Sequence, residues 1–260
     1  MPPKKTFTLL SWNVNGIRSV EKKGFLNWLP SVGADLVGVQ ETKAHPEQLT
    51  PVLRNPEGFF TSWAHADRKG YSGVAVFSKR QPLKTTIGCG VPEFDLEGRV
   101  IQTDFEEFTH FNIYFPNGQR DETRLRYKLK FYDHILDVFE GLRRKGRAVV
   151  IAGDVNTAHK EIDLARPKEN SGTSGFLPIE RAWIDKLVGL GYVDTLREFR
   201  KDGGLYTWWD QISRARERNV GWRIDYHFIS PDLKPRLDDA WTMPEVMGSD
   251  HCPVGMRLVF

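Results

Sequence analysis

The feature that most constrains this chain is a recurring pattern. An apolar run ends abruptly in an amide, a carboxylate or an imidazole, and a loop follows. Residues 7–14 carry Asn13 near their far end, residues 35–40 run into Glu41, and residues 147–152 run into Gly153 and Asp154. Short apolar runs of this kind read as buried strands, and residues 73–78, 99–104, 109–115, 223–229 and 254–260 extend the series. Three stretches read instead as helices: 16–29, 120–142 and 177–190. In the second, Leu125, Leu129, Tyr132, Leu136, Phe139 and Leu142 recur at three- and four-residue steps, and Asp121 and Glu122 begin it, where the helix dipole favours negative charge. Strands and helices alternate from end to end without a low-complexity linker or repeat. One α/β domain over 1–260 is therefore expected, with residues 1–5 a flexible N-terminus. In sheet proteins, sites collect where strands end.

Composition narrows the function classes. With 40% hydrophobic and 27% charged residues, the chain has the apolar content of a globular protein. Two cysteines are too few for a disulfide framework, so both are expected as reduced thiols inside a cell. Met1-Pro2-Pro3-Lys4-Lys5 lacks the apolar stretch of a secretory signal. No run reaches the ~18 apolar residues of a membrane span, so no membrane partner is expected. A net charge of +3 suits a polyanionic partner without requiring one.

The polar residues at the run ends are Asn13, Asn15, Glu41, Asp154, Asn156, Asp225, Asp250 and His251. Buried carboxylates need a cation or several donors, so this many such groups suggest one shared site. Carboxylate and amide oxygens are hard ligands suited to Mg²⁺, and Glu41 is the principal candidate, although taken alone it reads more readily as a salt bridge or a cap. Zinc is disfavoured, because there is no thiolate cluster and no paired histidine. In Gly153-Asp154-Val155-Asn156, the i, i+2 spacing puts both polar side chains on one face; an Asx turn is the plainer alternative. There Asp154 can take a proton from water while Asn156 holds a phosphoryl oxygen. Asp225 or Asp250 can orient and charge the His251 imidazole, which then steadies a pentavalent phosphorus. No serine stands in Gly-x-Ser-x-Gly and no Walker loop is present, which leaves attack by activated water.

Arg214, Arg216, Arg218 and Arg223 surround Trp222, and Tyr206, Trp208 and Trp209 precede them. Arg68, Lys69 and Tyr71 form a smaller patch. Arginines neutralise phosphates and aromatic rings contact sugars and bases, so both clusters are expected to bind nucleic acid rather than only to solvate loops.

Eight segments resemble, in order, the motifs of the exonuclease III family of abasic-site endonucleases. They are Ser11-Trp12-Asn13-Val14-Asn15-Gly16-Ile17-Arg18, Gln40-Glu41-Thr42-Lys43, Tyr114-Phe115-Pro116-Asn117, Gly153-Asp154-Val155-Asn156-Thr157-Ala158-His159, Glu161-Ile162-Asp163-Leu164, Ser174-Gly175-Phe176-Leu177-Pro178, Asn219-Val220-Gly221-Trp222-Arg223-Ile224-Asp225-Tyr226 and Gly248-Ser249-Asp250-His251-Cys252-Pro253. The resemblance implies a four-layer α/β sandwich, with two mainly antiparallel sheets packed face to face and helices outside. It implies Mg²⁺, with Mn²⁺ as a substitute, held by Glu41 with Asn13 and Asp250. Asp154 would activate water, Asn156 would lie beside the phosphate, and Asp225 would hold His251. Tyr114, Asn117 and Asn170 would face the phosphate path. Trp208, Trp222 and Ile224 would line a pocket for a flipped-out sugar without its base, which costs least to unstack.

The implied reaction is hydrolysis 5′ to abasic sites in duplex DNA, leaving a 3′-hydroxyl and a 5′-deoxyribose phosphate. Exonuclease, 3′-phosphatase and deoxyuridine-nicking activities would accompany it, in a monomer that is intracellular and, in a prokaryote, cytoplasmic with the nucleoid. The chain departs from some members at Asn15 (aspartate there), Thr173 (asparagine) and Trp208 (phenylalanine). It also lacks the long N-terminal extension of the animal members, so no redox-regulatory role is expected. Two rivals remain: another phosphoesterase of the same superfamily, such as a less selective DNase or an inositol-phosphate phosphatase, and a catalytically inactive DNA-binding homologue.

Overall fold

The computed structural model describes residues 5–260. Its strands are β1 (Thr6–Asn13), β2 (Leu36–Gln40), β3 (Phe60–Ala64), β4 (Val74–Ser78), β5 (Lys84–Ile87), β6 (Val100–Asp104), β7 (Thr109–Tyr114) and β8 (Val149–Asp154). Then come β9 (Val193–Asp194), β10 (Trp208–Trp209), β11 (Gly221–Trp222), β12 (Asp225–Ile229), β13 (Leu237–Thr242) and β14 (Val254–Val259). The helices are α1 (Ile17–Glu21), α2 (Phe25–Ser31), α3 (Pro51–Arg54), α4 (Pro92–Asp95), α5 (Glu122–Arg143), α6 (Pro178–Gly189) and α7 (Thr195–Phe199).

Two six-stranded sheets form, in the orders β13-β14-β1-β2-β4-β3 and β5-β6-β7-β8-β12-β9, and β10 and β11 make a separate ribbon. Each large sheet is antiparallel except for one central parallel pair, β1–β2 in the first and β7–β8 in the second. One apolar cluster, including Phe7, Leu9, Leu36, Val76, Ile101, Val150 and Ile229, lies between the sheets. A second packs α1 and α2 on the outer face of the first sheet through Trp12, Ile17, Phe25 and Val39. A third packs α5 and α6 on the second sheet through Phe111, Ile151, Phe131 and Ile184. The four layers implied by the motif resemblance are thus present.

Side-chain alternation explains where the site lies. Successive residues of a strand face opposite sides, so Phe7 and Leu9 fix Ser11 and Asn13 on the inter-sheet face. By the same parity Leu36 fixes Gln40, Val150 fixes Asp154, and Ile229 fixes Asp225; Tyr114 itself packs in the inter-sheet cluster. The last inter-sheet member of each central strand is therefore polar. Register aligns these ends: Asn13 is opposite Gln40, Tyr114 opposite Asp154, and Asp225 opposite Asp154. Just inside them, Gln40 Nε2 donates to Ser11 Oγ at 2.9 Å and Asn112 Oδ1 at 2.6 Å. Asn112 Nδ2 crosses to the first sheet, donating to Val39 O and Ala75 O. Gly38 makes room for it, since a Cβ there would lie 2.8 Å from Asn112 Oδ1. Gly153 is required for a similar reason: φ is 142° and a Cβ would stand 1.9 Å from Ile113 O.

Several expectations are corrected. The helix expected over 16–29 is two helices, because Gly24 takes a left-handed φ of 98° between them, and α2 runs on through Pro30 to Ser31. Asp121 caps α5 from outside, accepting from Arg124 N at 2.7 Å. Strands β3, β5, β9 and β13 were not expected; they are the four sheet edges, whose half-exposed faces lack a continuous apolar run. Residues 1–4 of the expected flexible terminus lie outside the described residues, whereas Lys5 exchanges two backbone hydrogen bonds with Phe260. Cys89 and Cys252 are unpaired, as expected. No helix among the described residues is long and apolar enough to cross a membrane.

Candidate active site

Glu41, Asp154 and His251 come from loops or strand ends of both sheets, yet each offers one ligand atom within 4.8 Å of the others. Asn13 ties the two carboxylates together: its Nδ2 donates to Glu41 Oε1 at 2.8 Å and to Asp154 Oδ2 at 2.9 Å. Its Oδ1 meanwhile accepts from Asn15 N. The turns that make this possible are strained. Asn15, Glu41 and Asn156 all hold left-handed φ values of 45°, 52° and 55°. For a non-glycine residue such backbone costs on the order of 1 kcal/mol or more and persists only where surrounding contacts enforce it.

Asp154 Oδ1 accepts from Asn156 N at 2.8 Å, so the Asx geometry weighed from sequence is real and coexists with the site. Asn156 Nδ2 donates to Phe115 O and to Asp154 Oδ2, and its Oδ1 accepts from Asn117 Nδ2 at 3.1 Å. On the other flank, Asp225 Oδ2 meets His251 Nδ1 at 2.8 Å and accepts from Thr207 Oγ1 at 2.6 Å. Of the two aspartates, Asp225 is thus the one that orients the imidazole. Asp225 Oδ1 is buried without a hydrogen-bond partner among the described residues.

Charge is crowded here. Burial, then the Asp225 and Glu41 carboxylates, push Asp154 up to about 7 against the pull of His251 and Asn13. Burial alone would lower His251, but Asp225, Asp154 and Asp250 outweigh it and raise the imidazole to about 10. Burial likewise opposes ionisation of Glu41, yet Lys43 at 2.7 Å and Asn13 hold it below the usual carboxylate range. Burial, with Glu41 and Asp154 on one side, keeps the Tyr114 phenol well above its ordinary value. Three carboxylates converge, one orphaned oxygen is buried, and one carboxylate is held with raised proton affinity. That donor set fits a hard divalent cation.

Asp250 sits beside this cluster rather than in it. Its oxygens accept from Asn15 Nδ2 at 2.9 Å, Ser249 Oγ at 3.1 Å and Trp208 Nε1 at 3.2 Å. The last bond links the site to a small apolar cluster of Ala158, Leu164, Phe176 and Ile224, against which Trp208 and Trp222 pack. The two indoles meet edge to face, 6.4 Å apart at 82°.

The basic residues divide. Arg68, Lys69, Arg214 and Arg218 are exposed. Arg216 instead turns inward, donating to Ser249 O, Pro244 O and Val246 O and lying over the Trp209 ring, so it braces the loop that carries Asp250. Arg223 is fully buried against Asp163 and Asp194, which corrects its placement in the nucleic-acid cluster. Asn170 Nδ2 donates to Arg166 O in its own loop. Tyr71 joins Arg99, Arg124 and Glu97.

Sequence reasoning missed Thr207, which also accepts from Ile224 N and Asp225 N. It missed the Lys128–Glu180 pair as well, whose lysine donates to Asn156 O at 2.8 Å and to Glu180 Oε1 at 2.6 Å. A threonine among aromatic residues and a lysine within a helix give no signal of chemistry; only the packing reveals them.

The chain is similar to known nucleases along most of its length. A model of the endonuclease/exonuclease/phosphatase family matches residues 10–251. An exodeoxyribonuclease of Bacillus subtilis is 43% identical over 248 residues, covering 95% of this chain and 97% of that protein. The DNA repair nuclease APEX1 of Danio rerio is 40% identical over 256 residues, covering 96% and 81%. Among solved structures, a 3′ phosphatase from Neisseria bound to a product DNA hairpin superposes with a TM-score of 0.88 at 27% identity, covering 97% of this chain and 99% of that one.

Proposed function

The chain belongs to the endonuclease/exonuclease/phosphatase family as a hydrolase of the exodeoxyribonuclease III type, and we propose that it hydrolyses the phosphodiester 5′ to abasic sites in duplex DNA. The observation that carries the reading is the meeting of Glu41, Asp154 and His251 beside the apolar wall of Trp208, Trp222 and Ile224. A hydrolytic centre and a slot for a sugar without its base are then one site.

In this reading Glu41 would be the main ligand of Mg²⁺ or Mn²⁺, with Asn13 fixing its carboxylate and Asp250 close by. When bound, the ion would supply neutralisation of the charge that develops on the phosphate. Asp154, whose proton affinity is raised by burial and the neighbouring carboxylates, is placed to take a proton from water. The water oxygen bonds to phosphorus while the bond to the upstream 3′ oxygen breaks, and that oxygen takes a proton from solvent, leaving a 3′-hydroxyl and a 5′-deoxyribose phosphate. His251, charged by Asp225, holds a non-bridging oxygen. Asn156 and Asn117 bond a second, and Tyr114, which keeps its proton, donates to the phosphate. Arg68, Lys69, Arg214 and Arg218 reach the DNA backbone from outside, and Asn170 faces the strand beside the lesion. Trimming of 3′ ends, removal of 3′ phosphates and nicking at deoxyuridine use the same centre. The enzyme acts as a monomer on DNA inside the cell.

The test is a cleavage panel with Mg²⁺, on duplexes bearing an abasic analogue, deoxyuridine, a 3′ phosphate or no lesion, with inositol phosphates alongside. The abasic duplex is expected to be nicked on its 5′ side, at least about a hundredfold faster than the undamaged one, the scale on which pocket fit discriminates. Equal rates with and without the lesion would favour a non-selective DNase. Binding without cleavage would favour an inactive homologue.

A further inference from the structure

We propose that Arg99 is a positioning residue, whose buried guanidinium clamps Tyr114 against the hydrolytic centre; this rests on the phosphate-facing role of Tyr114 proposed above. Arg99 is among the largest fully buried side chains of the protein. Such a charge is costly to bury unless every donor is used, and here they converge on one residue and its supports. Arg99 Nη1 donates to Tyr114 O at 2.9 Å, while Arg99 O accepts from Tyr114 N at 2.9 Å. The guanidinium carbon lies 4.8 Å from the centre of the Tyr114 ring. The phenol is therefore gripped through its main chain and backed by a cation.

The clamp is itself anchored. Arg99 Nε donates to Glu97 Oε2 at 2.5 Å and Nη2 to Tyr71 Oη at 2.9 Å. From α5, Arg124 donates to the same Tyr71 oxygen at 2.7 Å and to both Glu97 oxygens at 2.8 Å. Two guanidiniums share one carboxylate, which they hold down to about 2 against its burial. Glu41 and Asp154 act on Tyr114 from the other side, so its ring spans a cationic and an anionic pole. With one bond from each guanidinium nitrogen made inside the protein and a side chain only 1% exposed, Arg99 is not placed to reach a DNA phosphate. Its effect on the reaction passes through Tyr114.

A kinetic double-mutant cycle tests this, using the full-length protein, Mg²⁺ and a duplex with an abasic analogue. Arg99→Lys is expected to lower kcat about tenfold or more with KM within about threefold, and to cost less than about threefold in a Tyr114→Phe background, because residues acting as a unit are non-additive. The slope of log affinity against log salt should not change, since no phosphate contact is lost. Equal losses in both backgrounds would overturn the proposal in favour of general support of the fold. A KM-only loss with a shallower salt slope would overturn it in favour of direct DNA contact. If Arg99→Lys does not fold, Tyr71→Phe removes the hydroxyl that both guanidiniums hold and carries the same cycle, with a loss of about threefold that vanishes beside Tyr114→Phe. A wild-type protein that leaves abasic DNA uncut would instead sink the functional reading itself.

Discussion

Asp154→Asn is expected to lower turnover on abasic duplex by at least ~10²–10³, while binding of that duplex changes by no more than a few-fold. The substitution keeps the shape of the side chain and an oxygen for Asn156 N, which Asp154 holds at 2.8 Å. What it removes is the ability to take a proton, together with the Oδ2 that accepts from Asn13 Nδ2 and Asn156 Nδ2. Burial and two neighbouring carboxylates have raised the proton affinity of Asp154 to about 7, and an amide has no counterpart to that. Single-turnover cleavage at saturating enzyme separates the chemical step from binding. Turnover near that of the wild type would show that the proton goes elsewhere. The fold should tolerate the change, because it withdraws one charge from a pocket that already holds Asp225 and Glu41.

The largest effect on stability is expected at Lys128. Its ammonium is fully buried and donates to Asn156 O, Thr157 Oγ1 and Glu180 Oε1. Burial pulls its pKa down, and Glu180 opposes that pull. Glu180 in turn accepts from Ser174 Oγ, Gly175 N and Leu177 N. The pair thus joins α5 to the turn after β8 and to the loop that enters α6. Lys128→Met would leave a buried carboxylate without its cation, at a cost of about 3–5 kcal/mol. For a chain of this size that corresponds to a fall in Tm of roughly 10 °C, measured by thermal denaturation. Lys128→Met combined with Glu180→Gln should recover much of the loss, because no buried charge then remains. A shift below about 2 °C in the single variant would mean that water or another group satisfies Glu180.

The legible part of the fold follows from one physical regularity. A central strand of a sandwich is buried on both faces, so it stands out as an apolar run, and the residue that ends the run stands where water returns. Asn13, Asp154 and Asp225 could be picked out for that reason, and parity alone puts them on one face. The edge strands β3, β5, β9 and β13 are half exposed and carry no such signal. The fate of the arginines was not legible either. Arg214, Arg216, Arg218 and Arg223 look alike in sequence, yet two remain in solvent, Arg216 braces a loop and Arg223 is sealed against Asp163 and Asp194. The difference is set by which carbonyls and carboxylates the tertiary fold brings near. The hub role of Thr207 and the clamp on Tyr114 depend on contacts between distant segments and leave no local trace.

The central claim is that Glu41 holds a hard divalent ion in the same centre where Asp154 and His251 act on water and phosphate. Its most direct test is a titration of the protein with Mn²⁺, followed by the electron paramagnetic resonance signal of the free ion, for the wild type and for Glu41→Gln. The account predicts saturable binding by the wild type that weakens at least about tenfold when Glu41 loses its charge. Equal affinity in both proteins, or no binding by the wild type, would contradict it.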